Sequence, residues 1–186
     1  MYQRKMEITQ PPLPKENIAI AGTAEVSMEK MAAYIKKRNP QTKLSCSVDA
    51  LVQYYYAEAG AEGIRPDLAL CQAIKETGCF AYGGDVLPEQ NNYCGLGTTG
   101  GGVKGHYFAS PEIGVRAHVQ HLLAYSSMLP PKKELVDPRY QLVKEKHPEI
   151  FGKVTTWTGL NGKWAVPGTH YGQDILKMLE EIKQNK

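Results

Sequence analysis

Apolar positions recur with helical spacing along most of this chain. Met28, Met31, Ala32 and Ile35 fall at i, i+3, i+4 and i+7, which places them on one face of a helix running from an N-cap at Ser27 to about Arg38. Asn39-Pro40 ends it, because the residue before a proline is pushed out of helical geometry. Val48, Leu51, Val52, Tyr55, Tyr56 and Ala59 hold the same period after Ser47, and Gly60 and Gly63 close that second helix. Pro66 and Asp67 suit the first turn of a third, in which Leu70, Ile74 and Thr77 share a face and Gly78 follows the end. Ser110-Pro111-Glu112 combines a cap, a first-position proline and a first-turn carboxylate. Val115, Val119 and Leu122 carry that helix to about Ser127, and Pro130-Pro131 stops it. Asp137-Pro138 starts a short helix, and a last one runs from about Gly172 with Ile175, Leu179 and Ile182 inward. No alternating strand pattern and no internal repeat is found, so the expected class is mainly α.

The period fails between Cys79 and Ala109, where Gly83, Gly84, Gly95, Gly97, Gly100, Gly101, Gly102 and Gly105 exclude a helix. A long aperiodic loop inside a compact domain is commonly functional, and a short irregular hairpin would fit here. Residues 1–20, with Pro11, Pro12 and Pro14, are expected to be a flexible lead-in, which leaves 21–186 as one domain.

Composition narrows the function only slightly. A length of 186 residues suits one domain with a real core. A net charge of +3 is well short of a nucleic-acid footprint, and no apolar run could span a membrane. The segment from Met1 to Pro14 lacks the apolar stretch of a signal peptide, so export by removal of a leader or by another route is expected. The 11 tyrosines, against 3 Phe and 2 Trp, suit sugar recognition and a plain core equally. The cysteines at 46, 71, 79 and 94 form no CxxC pair, which argues against a zinc ribbon. Cys79 and Cys94 flank one loop and are open to pairing or to remaining buried thiols.

Glu76 carries the clearest chemistry. It lies in the last turn of the third helix, where the negative end of the helix dipole disfavours an anion. The glycine-rich segment that follows would desolvate it further and raise its pKa. A carboxylic acid kept protonated near neutral pH is what a glycosidase needs in order to protonate a leaving oxygen. The plain alternative is an exposed helix-end glutamate beside Lys75.

Four segments in order favour the first reading. They are Ala73-Ile74-Lys75-Glu76-Thr77-Gly78, Asn91-Asn92-Tyr93-Cys94-Gly95-Leu96-Gly97, Gly114-Val115-Arg116-Ala117-His118-Val119-Gln120-His121-Leu122 with Tyr125, and Trp164-Ala165-Val166-Pro167-Gly168 with Tyr171-Gly172. From about Ile18 to Ile182 the chain resembles the glucosaminidase domains of glycoside hydrolase family 73. The resemblance implies a lysozyme-like helical domain whose glycine-rich loop or short β-hairpin lines a substrate groove. It also implies cleavage of the β-1,4 bond after N-acetylglucosamine in peptidoglycan glycan strands, with Glu76 as proton donor. No cofactor, metal or nucleic-acid partner is implied, and a monomer acting on the cell wall, secreted or phage-delivered, is expected.

One departure bears on mechanism. Many members of that family place a second acid on a hairpin after the asparagine loop, but the segment from Thr98 to Phe108 contains no Asp or Glu. Asp85, Glu89 and Glu112 remain; Glu112 is explained as a helix-start charge, and Asp85, after two glycines, is the preferred candidate. A substrate-assisted route, in which the sugar's 2-acetamido group attacks the anomeric carbon, is the alternative to two carboxylates. Asn92 is expected either to bond that acetamido group or to hold its loop. Tyr125 and Tyr171 are candidates for the cleft wall, and Trp164 for stacking on a sugar ring; Gln120 and His121 are expected to brace their helix. Rival readings are a muramidase or lytic transglycosylase, a peptidase using Cys94, a zinc site at His118 and His121, and a catalytically silent wall-binding module.

Overall fold

The caps that the sequence predicts can be followed atom by atom in the computed structural model, which describes residues 18–185. Its helices are α1 (Met28–Arg38), α2 (Val48–Glu62), α3 (Pro66–Glu76), α4 (Pro111–Ser126), α5 (Tyr140–Lys146) and α6 (Tyr171–Gln184). The hydroxyls of Ser27, Ser47 and Ser110 accept from the N–H groups of Lys30, Ala50 and Ile113, each satisfying a donor that the helix itself leaves unpaired. Gly63 and Gly78, just past α2 and α3, stand at φ +72° and +58°, a left-handed geometry that glycine adopts without a Cβ clash. The architecture is mainly helical, as expected; among the described residues, β-pairing is confined to isolated bridges.

α2 is the central element and packs against α1, α3 and α4, while α6 covers α3 and α5 lies on α4. Tyr55 and Leu51 of α2, Ile74 of α3, Val119 of α4 and Ile175 of α6 are buried in one core with Trp157. Met31, Ala32 and Ile35 of α1 join it, but Met28, expected on the same face, stays 39% exposed in the first turn. Of the expected lead-in over residues 1–20, residues 1–17 lie outside the described part. Its last three residues are in the fold: Ile18 accepts from the N–H of Trp157, Ile20 donates to Thr155, and the Ile20 side chain is fully buried.

The glycine-rich segment is held by three consecutive amide side chains. Gln90 donates through Nε2 to the carbonyls of Lys104 and His106 at 2.7 and 3.2 Å, and Asn91 through Nδ2 to Phe108 at 3.0 Å. Asn92 both donates to the carbonyl of Leu96 and accepts from its N–H, each at 2.9 Å. Residues 96–106 therefore return on themselves as the expected irregular hairpin, with a single bridge, Gly100 to Val103, at the tip.

α4 fixes the root of this hairpin by close approach. A Cβ added at Gly114 would fall 1.8 Å from the Asn91 carbonyl oxygen, so only glycine lets the helix lie against the loop there. Gly114→Ala is expected to destabilise the fold by about 2–3 kcal/mol, the cost of forcing backbones apart. A urea midpoint that falls while the slope stays constant would show it. An unchanged midpoint would mean that the contact is not tight.

The pairing considered for Cys79 and Cys94 does not form. All four cysteines are free, and the two lie in separate clusters: Cys79 in the main core, and Cys94 with Leu96, Phe108 and Ala117.

Candidate active site

Two adjoining cavities, about 320 and 300 Å³, share Gly95 and Thr98 as a common border. The first lies between the end of α3 and the glycine-rich segment, and Glu76, Tyr82, Asp85 and Asn92 are among its walls. The second lies between that segment, α4 and the Lys163–Trp164 stretch, and is walled by His121, Tyr125, Arg139, Lys163 and Trp164 among others. The helix end, the asparagine loop and the C-terminal segment singled out in the sequence thus line these two abutting cavities, which together make up the groove.

Glu76 is open to solvent through the mouth of this groove but has protein on most other sides. That partial desolvation raises its carboxyl above the ordinary range. Hydrogen bonds from Tyr171 and Trp164, together with the charge of Lys75, act in the opposite direction without cancelling it. The Tyr171 hydroxyl donates to Glu76 Oε1 in a short contact.

Tyr171 is itself oriented from behind. Gln72 Nε2 donates to the Tyr171 oxygen at 2.8 Å, and Gln72 Oε1 lies 2.8 Å from His118 Nε2. His118 Nδ1 lies 2.8 Å from the Tyr55 hydroxyl. Gln72 and His118 are fully buried, and burial, with the neighbouring His121 adding to it, lowers the His118 pKa to about 3. The imidazole is therefore neutral, and the Gln72 carbonyl oxygen requires its one hydrogen on Nε2. Every bond then runs the same way: Tyr55 to His118, His118 to Gln72, Gln72 to Tyr171, Tyr171 to Glu76.

The other expected site residues divide. Asp85 shares Glu76's cavity, and its Oδ1 accepts from the N–H of Gly102 at the hairpin tip, 3.1 Å away. Asn92 borders the cavity, but its amide is fully engaged with its own loop and His106, so of its two expected roles the structure supports loop bracing. Tyr171, a candidate for the cleft wall or for a core tyrosine with its hydroxyl satisfied, is buried beneath Glu76, bonds that carboxyl and lines neither cavity. Tyr125 and Trp164 do wall the second cavity, with ring centroids 5.1 Å apart. Gln120 braces α4 as expected, donating to Glu134 and accepting from Val136 and Asp137, and His121 Nδ1 lies 2.8 Å from buried Asp137. Gln72, His118 and Tyr55 were missed as support. The available signal was the four-residue spacing of Gln72 and Glu76, which puts both on one face of α3.

The rival chemistries fare poorly. Both nitrogens of His118 are occupied, so it cannot join His121 on a metal. Cys94 shares a cavity with His121 but forms no hydrogen bond with it, and burial pushes its thiol well up, the reverse of what an activated nucleophile needs.

A carboxyl whose pKa is raised by partial burial, beside an open, partly aromatic groove on a helical scaffold, is the equipment of a glycoside hydrolase. The glucosaminidase family model, described as mannosyl-glycoprotein endo-beta-N-acetylglucosaminidase, matches residues 52–184, and the chain belongs to that family. It is accordingly a glycoside hydrolase of the mainly helical, lysozyme-like class, with a glycan as substrate. It is also similar to an uncharacterized protein of Borreliella burgdorferi, 34% identical over 158 residues, which cover 85% of this chain and 74% of that one. No solved structure matches it. No helix among the described residues is long and apolar enough to cross a membrane.

Proposed function

We propose that this protein is a peptidoglycan hydrolase of glycoside hydrolase family 73 that cleaves the β-1,4 bond after N-acetylglucosamine. The observation that carries this reading is Glu76: a carboxyl raised by partial burial, aimed by Tyr171 and open to a groove. Glu76 donates its proton to the glycosidic oxygen as that bond breaks. Asp85 is the second group. With Oδ1 held by Gly102, its Oδ2 is left to take a proton from the attacking water. The protein acts on the cell wall, secreted or phage-delivered, as a monomer.

A second reading is favoured by the absence of any carboxylate between Thr98 and Phe108. There the substrate's acetamido oxygen attacks the anomeric carbon while Glu76 protonates the leaving oxygen, and water then opens the ring so formed. Asp85→Asn separates the two. The amide oxygen still accepts from Gly102, so the loop is kept and only the base is lost. Turnover is expected to fall about a hundredfold; a fall of less than about threefold would establish the substrate-assisted route instead.

The function itself is tested by mass spectrometry of fragments released from purified walls. Reducing N-acetylglucosamine ends are expected. Muramic acid ends would make the protein a muramidase, anhydro ends a transglycosylase, and no fragments at any pH a silent binding module.

A further inference from the structure

The two halves of the groove carry opposite charge. Glu76 and Asp85 border the first cavity, which has no Lys, Arg or His in its wall. Arg139 and Lys163 border the second, with His121 and His147, and no Asp or Glu stands there. Among the described residues the Arg139 guanidinium has no ion-pair partner. The Lys163 ammonium has only a long contact, 3.4 Å, to the Gly159 carbonyl oxygen. Unneutralised cations facing a cavity attract an anionic oxygen ligand.

The rest of the wall specifies what carries that anion. Trp164, Tyr125 and His121 form a tilted aromatic cluster, with centroids 5.0–5.3 Å apart, that suits the apolar face of a sugar ring. The His121 side chain is only 9% exposed, and its Nδ1 is committed to Asp137. Its Nε2 has no partner among the described residues, which leaves it for a hydroxyl or amide of a bound ligand.

We propose that Arg139 and Lys163 are the specificity-determining residues of this cavity: they hold the carboxylate of a carboxylate-bearing amino sugar and so set the register in which a glycan strand is cut. The proposal rests on the reading of the groove as a peptidoglycan-cleaving site. In a strand alternating N-acetylglucosamine with N-acetylmuramic acid, only the muramyl residue carries an acidic substituent. This cavity meets that of Glu76 at Gly95 and Thr98, so a charged sugar bound here lies beside the one presented to Glu76. A shift of one residue would bring a neutral sugar against Arg139 and Lys163. The carboxylate is either that of the lactyl group itself or one on an attached peptide.

The test uses full-length Glu76→Gln, which binds without cutting, and three tetrasaccharides titrated by calorimetry. One is all N-acetylglucosamine, one is the alternating strand without peptides, and one is the alternating strand with peptides. The peptide-free alternating strand is expected to bind about tenfold tighter than the neutral one, the scale of one charge-assisted contact. Adding Arg139→Gln and Lys163→Gln is expected to bring that ratio within twofold without moving the melting temperature. Equal affinities, or a ratio that survives the double substitution, would overturn the subsite. A preference only for the peptide-bearing strand would support the site and place the carboxylate on the peptide. In otherwise unaltered protein the double substitution is also expected to yield mixed reducing ends; uniform ends would overturn the register claim. If unaltered protein cuts no strand at all while the binding ratio persists, the catalytic reading fails and the subsite stands.

Discussion

Glu76→Gln is expected to lower turnover on wall glycan by at least about a hundredfold, the usual contribution of a general acid. An amide of the same shape still accepts the Tyr171 hydrogen bond but has no proton to give the leaving oxygen. Because partial burial holds the Glu76 carboxyl above the ordinary range, the alkaline limb of kcat/KM is expected to lie above that range as well. The same shift gives a sign for stability. A carboxyl whose pKa is raised on folding contributes stability below its unfolded value, and that contribution is lost as pH rises through the folded value. Because burial disfavours the charged form of Glu76 in the fold, a neutral amide of the same shape costs no stability there, and the glutamine variant should melt no earlier than the parent. Full activity in the variant would refute the assignment, and early melting would make Glu76 a structural residue.

His118→Gln is expected to remove much of the protein's sensitivity to acid. In the unfolded chain a histidine titrates near pH 6.5, whereas burial takes His118 down to about 3 in the fold. Between those values the unfolded state holds a proton that the folded state does not. A depressed folded pKa therefore gives stability that is complete above about pH 6.5 and declines as pH falls toward 3. The slope is about 1.4 kcal/mol per pH unit, or roughly 3 kcal/mol by pH 4. Glutamine accepts from Tyr55 and donates to Gln72 just as the neutral imidazole does, so the buried bonds are kept without the titration. Urea unfolding at pH 7 and pH 4 measures the difference. If parent and variant lose the same stability on acidification, His118 is not the group responsible.

The helices were legible in the sequence because their signals are local. Ser27, Ser47 and Ser110 cap as their positions predict, and Gly63 and Gly78 take the left-handed geometry that a helix end needs. The placement of Glu76 was legible for the same reason, since helix end and glycine-rich flank are both written along the chain. What lies behind it was not. Tyr171 stands 95 residues from Glu76, and His118 stands 46 from Gln72, so only packing of α3 against α4 and α6 brings them together. Periodicity reports that such residues face inward but not which polar neighbour they meet. The same limit hid the Arg139 and Lys163 cavity, whose walls come from four separate stretches. Asn92 shows the reverse case: its motif was legible, but only the coordinates show its amide committed to Leu96 and His106.

The one-way run of hydrogens from Tyr55 to Glu76 constrains how the acid is recharged. Oε1 already accepts the hydrogen of Tyr171, so in the proposed reaction Oε2 is left to carry the proton that is given away. The interior cannot replace it once it is given away, because the Gln72 amide in the middle of the run does not pass protons along. The replacement must come from water entering the groove. In the proposed reaction, reloading of the acid is therefore tied to the entry of solvent into the groove and not to any supply from the protein interior.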